Sequence, residues 1–202
     1  MSVIPADIVE PGWLARPSTE VAPDLIGCSL VRKLPSGQTL RATIVETEAY
    51  GPGDPANHGF RRRTPRNEAM FEEPGTIYVY LIYGMHHCLN ISTDKAEVPS
   101  AVLIRALQLE AVPPGIESQQ KLHRIAAGPG KLCRAFGIDL SLNREQLDPG
   151  GALWIEHRHR EFQQQLQAKS EGLVQTTRIG ISVGTELPWR WYLASSRAVS
   201  KP

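Results

Sequence analysis

Short stretches of apolar and β-branched residues, separated by proline and glycine, dominate the first part of the chain. Residues 29–34 and 40–48 have this character and flank a Pro35-Ser36-Gly37 turn. Two such stretches joined by a glycine-containing turn are typical of a β-hairpin. The loop at residues 51–55 then ends the second strand. Glu48 is therefore predicted at the end of a strand.

A second hairpin is predicted further along the chain. Its strands, residues 76–82 and 85–92, leave only Tyr83-Gly84 for the turn. A two-residue turn that contains glycine is a strong hairpin signal. Another strand is predicted at residues 101–107, where Arg105 is the lone charge in an apolar run.

The rest of the chain is predicted to mix helices with short strands. The other predicted elements are an extended arm over residues 1–17, helices at 18–27, 64–71, 117–127 and 129–136, strands at 153–156, 178–182 and 189–194, and a charged, glutamine-rich connection at 160–171. Hairpins with helices inserted between them favour the α+β class. We therefore expect one domain over residues 1–202, built around a mostly antiparallel β-sheet with helices packed at its edges.

Length and composition agree with a globular domain. The chain has 202 residues, of which 41% are hydrophobic, enough for a core of ordinary size. No window approaches the roughly 18 apolar residues of a membrane span, and the first residues lack the character of a signal peptide, so a cytoplasmic location is expected. The formal net charge is only +1, which does not indicate a strongly basic surface. A local basic patch remains at Arg61, Arg62, Arg63 and Arg66.

The cysteines and histidines do not form a metal-binding pattern. Cys28, Cys88 and Cys133 are odd in number, far apart and free of a Cys-x-x-Cys spacing, so reduced thiols are expected. His86 and His87 are neighbours on a predicted strand, where adjacent side chains point to opposite faces. They could not both bind one ion without distortion. No metal is therefore predicted.

Polar and aromatic residues concentrate between residues 46 and 90. Only 6% of the chain is aromatic, yet four of its five tyrosines lie here, together with Glu48, His58 and Asn90. A carboxylate, a histidine, an amide and several tyrosines brought together by strands would form a flat, aromatic-walled pocket with one base. Such a pocket suits a planar heterocycle, which points toward a nucleobase. Glu46 lies two residues before Glu48 on the same strand face, so it is the alternative base.

Five ordered blocks of sequence carry a resemblance to a known family. They are RATIVETEAY at 41–50, TPRN at 64–67, PGTIYVYLIYGM at 74–85, LNIS at 89–92 and VLIRAL at 102–107. These blocks resemble the alkyladenine (3-methyladenine) DNA glycosylase family, and the likeness extends over about residues 14–193. The resemblance implies a single-domain α+β fold without metal or organic cofactor. It also implies hydrolysis of the N-glycosidic bond of flipped-out alkylated or deaminated purines, without strand incision, in base excision repair.

The resemblance assigns roles to the residues of the pocket. Glu48 matches the carboxylate that activates water, a general-base role worth roughly 10² to 10⁴ in rate. Tyr50, His58 and Tyr80 resemble the walls that hold the extruded base between π-faces. Asn90 resembles the residue that inspects the minor-groove edge of the purine. An amide in a strand that should be buried needs hydrogen-bond partners in any case.

The resemblance also assigns residues that contact the duplex. Tyr83 matches the side chain that enters the duplex and fills the gap left by the flipped nucleotide. Met85 and Arg105 match positions near that side chain, and Arg105 is predicted to contact the DNA backbone. Gly128-Pro129-Gly130-Lys131 is either a modest phosphate site at a helix N-terminus or an ordinary interhelical turn.

The expected partner is double-stranded DNA with a damaged purine, bound by a monomer. Two rival functions follow from the residues themselves: a non-catalytic nucleic-acid-binding module with an aromatic platform, and a nucleoside hydrolase. A binding module has no use for a buried base at Glu48. A free nucleoside leaves no gap for Tyr83 to fill.

Overall fold

The protein forms one antiparallel β-sheet, seen in a computed structural model that describes residues 7–117, 119–168 and 172–201. The strands in this part of the chain are β1 (Ser29–Lys33), β2 (Thr39–Tyr50), β3 (Ile77–Ile82), β4 (His86–Ser92), β5 (Ala101–Gln108), β6 (Leu153–Glu156), β7 (Leu173–Thr176) and β8 (Arg190–Leu193). The main path runs β3-β4-β5-β2-β1-β6, while β8 pairs with both β2 and β7. The predicted α+β class is confirmed.

Helices are short and pack against the central strands. They are α1 (Pro11–Leu14), α2 (Ser18–Asp24), α3 (Leu122–Ile125), α4 (Pro129–Phe136) and α5 (Arg160–Gln167), with 3₁₀ turns at Glu68–Phe71 and Leu140–Leu142. Helix α2 packs on β2 and β5, and α4 packs on β4 and β5. They lie over the middle of the sheet rather than at its edges, because β2 and β5 carry the apolar residues that need cover.

Helix α4 follows its local sequence closely. Pro129 is the first residue of the helix, where the missing backbone N–H has no hydrogen-bond partner to lose. Gly137 ends the helix in the left-handed region at φ 57°, and the Ile138 N–H donates to the Cys133 carbonyl at 2.8 Å. This is a Schellman ending, which explains why the predicted bounds of the helix were correct.

The β3–β4 hairpin forms where it was predicted, but its connection is one residue longer than Tyr83-Gly84, because β4 begins at His86 and not at Met85. Ile77 pairs with Ile91, and Ile82 pairs with His86. Both residues at the centre of the turn have positive φ, 52° for Tyr83 and 69° for Gly84. This is the backbone twist that tight antiparallel hairpins favour. The hairpin therefore presents a tyrosine in a conformation that residues with a Cβ rarely adopt.

Strand β2 is the central strand of the sheet. It pairs with β1, β5 and β8, and its register with β5 shifts around Glu46. Glu46 faces Ala106 while Thr47 faces Ile104, so Arg105 is the extra residue on β5. Such irregularities re-aim a side chain and are common beside active sites.

Several predicted elements were wrong. Among the described residues of the predicted helix at 117–127, which leave out residue 118, only Leu122–Ile125 is helical, because the polar run before it has no apolar face to bury. Residues 160–167 form helix α5, since Phe162 and Leu166, four positions apart, both pack on the core.

Other differences are local. Residues 178–182 form no strand, and the 64–71 segment is a turn with 3₁₀ geometry only at Glu68–Phe71. The described part of the predicted N-terminal arm, residues 7–17, contains α1 and buries Leu14. Residues 1–6 of that arm lie outside the described residues.

Candidate active site

A cavity of about 540 Å³ opens between the β3–β4 hairpin, the α3–α4 segment and the loop that contains residues 179–181. Its volume is within the usual range for ligand pockets, roughly 300–1,000 Å³. The sequence-predicted residues that line it are Tyr50, His58, Tyr80, Tyr83, Asn90 and Arg105. The structure thus gathers residues from β2, two loops, β3, β4 and β5 around one space.

Glu48 lies behind the wall of this cavity and is fully buried. Its Oε1 accepts a hydrogen bond from the Ile179 N–H at 2.8 Å. Its Oε2 accepts one from the Tyr50 hydroxyl at 2.8 Å and lies 3.1 Å from Nη1 of Arg105. All three partners are donors and all three line the cavity. A carboxylate has about four acceptor positions, so one position remains, on Oε1.

Arg105 connects Glu48 to the alternative base, Glu46. Its Nε donates to Oε1 of Glu46 at 3.0 Å, and Arg190 Nη1 donates to the same oxygen at 2.9 Å. Ser200 adds donations from its backbone N–H at 2.7 Å and its hydroxyl at 2.8 Å. Glu46 is therefore fully buried and surrounded by donors from distant parts of the chain. Its hydrogen bonds are those of a structural anchor for Arg105.

The position of Arg105 argues against the DNA-backbone contact predicted for it. Its side chain is only 7% exposed and is held between two carboxylates. A guanidinium that neutralises two buried carboxylates is poorly placed to leave them for an external phosphate. Its described ion pairs are with Glu46 and Glu48, and contact with the DNA backbone stays a prediction.

The aromatic walls contact one another at angles. His58 and Tyr80 have ring centroids 4.7 Å apart with planes at 71°, and Tyr78 lies 5.4 Å from Tyr80. His58 Nδ1 is 2.8 Å from the Tyr78 hydroxyl. Burial lowers the pKa of His58, with Arg66 as a second cause, and burial raises the pKa of Tyr78. Because both groups are then neutral, we assign the phenol as donor and Nδ1 as acceptor.

Tyr50 connects the aromatic wall to the carboxylate. Burial, followed by the charge of Glu48, raises the pKa of Tyr50. Its hydroxyl therefore stays protonated and donates a hydrogen bond to Glu48. Tyr80 has a pKa raised by burial and lies beside the Cys88 thiol. The walls are therefore uncharged and hydrogen-bonded, which keeps their rings fixed in orientation.

Asn90 is buried on β4, opposite Leu103 of β5. Its Nδ2 donates to the backbone carbonyl of Tyr78 at 3.2 Å. The amide therefore has the structural partner that a buried polar group needs. Asn90 also lines the cavity, so its amide is available to a bound ligand.

Tyr83 and Met85 project from the tip of the hairpin. Tyr83 is 81% exposed and Met85 is 71% exposed, the highest values among the exposed large apolar residues of the described chain. Met85 does not line the cavity, whereas Tyr83 does. A strained, exposed tyrosine at the cavity mouth contributes little to folding, so its position indicates a role toward a ligand.

Three functional residues were missed by the sequence reasoning. Ile179 donates its N–H to Glu48, and Arg178, next to it, pairs with Asp54. Residues 178–182 were predicted as a strand. The Ile179 N–H serves a side chain instead of a neighbouring strand, and no local pattern reveals that partner.

The histidines and cysteines remain separate from any metal-type cluster. Within residues 7–117, 119–168 and 172–201, no group of three or more His, Cys, Asp or Glu side chains could hold an ion. Burial raises the pKa of Cys28 to about 11 and also raises that of Cys133. Gly128 to Lys131 form the turn into α4, where Gly130 lies beside His86 at the cavity rim.

In the part of the chain that the structure describes, no helix has the length and apolar character needed to cross a membrane.

A buried, oriented carboxylate beside an aromatic cavity with a projecting tyrosine defines an enzyme that acts on a nucleobase. A family model described as Methylpurine-DNA glycosylase (MPG) matches residues 12–197. The chain belongs to this family and is a DNA N-glycosylase.

Similar proteins are found in both bacteria and archaea. One from Trichodesmium erythraeum (strain IMS101) is 57% identical in an alignment of 202 positions that covers 96% of this chain and 98% of that relative. One from Synechococcus sp. (strain JA-3-3Ab) is 50% identical over 93% of this chain and 96% of its own length. One from Methanocella arvoryzae (strain DSM 22066 / NBRC 105507 / MRE50) is 42% identical over 100% of this chain and 97% of its own length. Each is named provisionally as a 3-methyladenine DNA glycosylase.

Proposed function

We propose that Glu48 is the general base with which this DNA glycosylase hydrolyses the N-glycosidic bond of a flipped-out, alkylated or deaminated purine. The observation that carries the proposal is the single acceptor position left on Oε1, after Ile179, Tyr50 and Arg105 have taken the others. A water bound there is oriented by a carboxylate that cannot rotate. Its attack on the anomeric carbon releases the base, and Glu48 takes the proton.

The base binds between the aromatic walls, Tyr50, His58 and Tyr80. Stacking on an aromatic ring contributes about 1–3 kcal/mol per base. Electron-rich rings attract a cationic base more strongly than a neutral one, which favours purines alkylated at a ring nitrogen. The same cation is already a good leaving group. The best substrate is therefore 3-methyladenine. 7-Methylguanine is an equally good leaving group but carries the amino group that disfavours guanine, and hypoxanthine is the slower, neutral case.

Asn90 and the hairpin tip distinguish and hold the lesion. The Asn90 amide meets the minor-groove edge of the purine, where the extra amino group of guanine would clash. Tyr83 enters the stack that the flipped nucleotide leaves, and Met85 packs beside it. Filling that gap offsets an unstacking cost of a few kcal/mol.

The charged surface beside the cavity is weaker than the sequence suggested. Arg63 forms ion pairs with Glu68 and Glu97, at 2.7 and 2.6 Å. Arg66 lies 6.0 Å from the centroid of the Tyr80 ring and extends along the hairpin. Arg61 and Arg62 are exposed. We propose that the protein binds DNA as a monomer in the cytoplasm. The few exposed arginines near the cavity agree with the near-neutral net charge of the chain.

The test measures release of free base from a duplex oligonucleotide that carries one alkylated purine or one hypoxanthine. Wild-type protein is expected to release the base, and Glu48→Gln to do so at least about a hundredfold more slowly, because an amide cannot accept the proton. The matched control is Glu156→Gln, since Glu156 is also nearly buried and ion-paired, with Arg41. Equal rates for wild type and Glu48→Gln would overturn the assignment.

A further inference from the structure

One of the three donors to Glu48 comes from an irregular loop. Strand β7 ends at Thr176 and β8 begins at Arg190, and the residues between them contain no strand or helix. The Ile179 N–H lies in this loop, 2.8 Å from Oε1 of Glu48. A backbone donor outside regular structure is held only by what its neighbours contact. The position of the oxygen that would hold water therefore depends on how this loop is anchored.

Arg178 anchors the loop to the end of β2. Its side chain is fully buried and forms a two-pronged pair with Asp54, which includes Nη2 to Oδ1 at 2.8 Å. Nη1 also donates to the Ala49 carbonyl at 3.0 Å, and Nη2 donates to the Gly184 carbonyl at 3.2 Å. Asp54 holds its own turn as well, because its Oδ1 accepts from the Ala56 N–H at 3.0 Å. One guanidinium thus joins β2, the 51–57 turn and the 177–189 loop.

Arg178 also supports Tyr50 from outside the cavity. Its guanidinium carbon lies 4.7 Å from the centroid of the Tyr50 ring and 5.4 Å from that of Trp189. The Tyr50 hydroxyl is the second donor to Glu48. Through the adjacent Ile179 and the stacked Tyr50, Arg178 therefore controls two of the three hydrogen bonds that orient the carboxylate.

Stability alone does not account for this arrangement. A buried ion pair is often no more stabilising than apolar residues of the same size, because desolvation opposes the attraction. Nε of Arg178 is moreover buried without a hydrogen-bond partner among the described residues. What a planar guanidinium contributes, and an apolar or ammonium side chain does not, is a fixed geometry.

We propose that the Arg178–Asp54 pair is a positioning device that aligns Glu48 and Tyr50, and that it sets the rate of bond cleavage rather than the affinity for DNA. The inference rests on the proposed role of Glu48 as the base. A displacement of about 1 Å at a reacting group costs up to roughly a hundredfold in rate, so small changes in this pair have measurable effects.

The variants are Arg178→Lys and Asp54→Asn. Lysine keeps the charge and the pair but loses the fork and the stacking on Tyr50. Asparagine keeps the shape but loses one acceptor and the charge. The control is Arg41→Lys, because Arg41 also forms a two-pronged pair, with Glu156, at the opposite end of β2. Rates are measured in single turnover on a duplex with one hypoxanthine, per folded protein, well below the melting temperature of each variant.

We expect Arg178→Lys and Asp54→Asn to cleave about 10- to 100-fold more slowly, whereas Arg41→Lys stays within about twofold of wild type. Affinity for a duplex with a tetrahydrofuran abasic site should change by less than about threefold in all of them. In the Glu48→Gln background, the same two changes should cost less than about twofold more, because the group they align is no longer a base.

Two results would overturn the inference. One is that Arg178→Lys and Asp54→Asn reduce the cleavage rate of Glu48→Gln as much as they reduce that of the wild type, which would make the pair an independent structural element. The other is a rate for Arg178→Lys and Asp54→Asn equal to that of Arg41→Lys while Glu48→Gln is inactive. If Glu48→Gln itself retains the wild-type rate, the general-base proposal fails instead, and the two failures are thereby distinguished.

Discussion

The two ends of the active site are opposite in character. Around Glu48, every described partner is a donor, the carboxylate is fully buried and its neighbours are tied together by ion pairs. At the hairpin tip, Tyr83 is 81% exposed and has φ 52°. The end that we propose to perform proton transfer is thus held by many contacts, whereas the end that we propose to meet the duplex projects into solvent.

This difference matches the two roles that we propose for the two ends. Alignment of a base with a water and a sugar requires a fixed geometry, which a buried network supplies. A wedge must leave solvent and enter a base stack, so contacts with its own protein would compete with DNA. We therefore expect changes near Glu48 to affect both folding and rate, and changes at Tyr83 to affect function alone.

The largest effect on stability is expected from Arg105→Met. This change leaves Glu46 and Glu48 buried without the guanidinium that lies between them, and breaking a buried pair costs about 3–5 kcal/mol. Excision should fall as well, because Glu48 loses a donor. The matched control is Arg41→Met, where the arginine side chain is 55% exposed and the expected loss is at most about 1 kcal/mol. Urea denaturation measures both, and equal losses would contradict a special role for the Arg105 network.

A second, purely functional effect is expected from Tyr83→Ala. The free energy of unfolding should stay within about 0.5 kcal/mol of wild type, since the side chain is exposed. Excision from a well-paired lesion should decrease more than excision of the same lesion from a mismatched or single-stranded context, where extrusion is already cheap. Leu140→Ala, at another exposed apolar residue, is the control and should change neither. Equal losses in both contexts would mean that Tyr83 belongs to the pocket wall instead.

The smallest effect is expected from the protonation of His58, which makes the free energy of unfolding depend on pH. Burial, with Arg66 as the second cause, lowers the folded-state pKa of His58, so the unfolded chain binds its proton more readily. The free energy that this difference contributes is present above the unfolded pKa of about 6.5 and is lost as the pH falls through the folded pKa.

Acidification should therefore destabilise the wild type more than His58→Gln, as read from thermal melts between about pH 7.5 and 5. Arg66→Gln should lessen the difference only slightly, because burial is the larger cause. Parallel curves for wild type and His58→Gln would contradict a buried, neutral His58.

The elements that were predictable are those whose signals are local. The β3–β4 hairpin, its turn at Tyr83-Gly84 and the bounds of α4 follow from apolar periodicity and from proline and glycine at their ends. The loop at residues 51–55 likewise placed Glu48 near the end of β2. The family resemblance, not the periodicity, singled out Glu48 from Glu46.

What the sequence by itself determined is where most of the strands lie and which of their side chains share a face. Only the tertiary structure decided which donor binds each buried carboxylate. Arg105 binds Glu46, 59 residues away, and the Ile179 N–H binds Glu48, 131 residues away. Local patterns report the balance of burial and backbone preference within one element. The partner of a buried charge depends instead on register and loop position, because an arginine in an apolar strand requires a carboxylate without specifying which one.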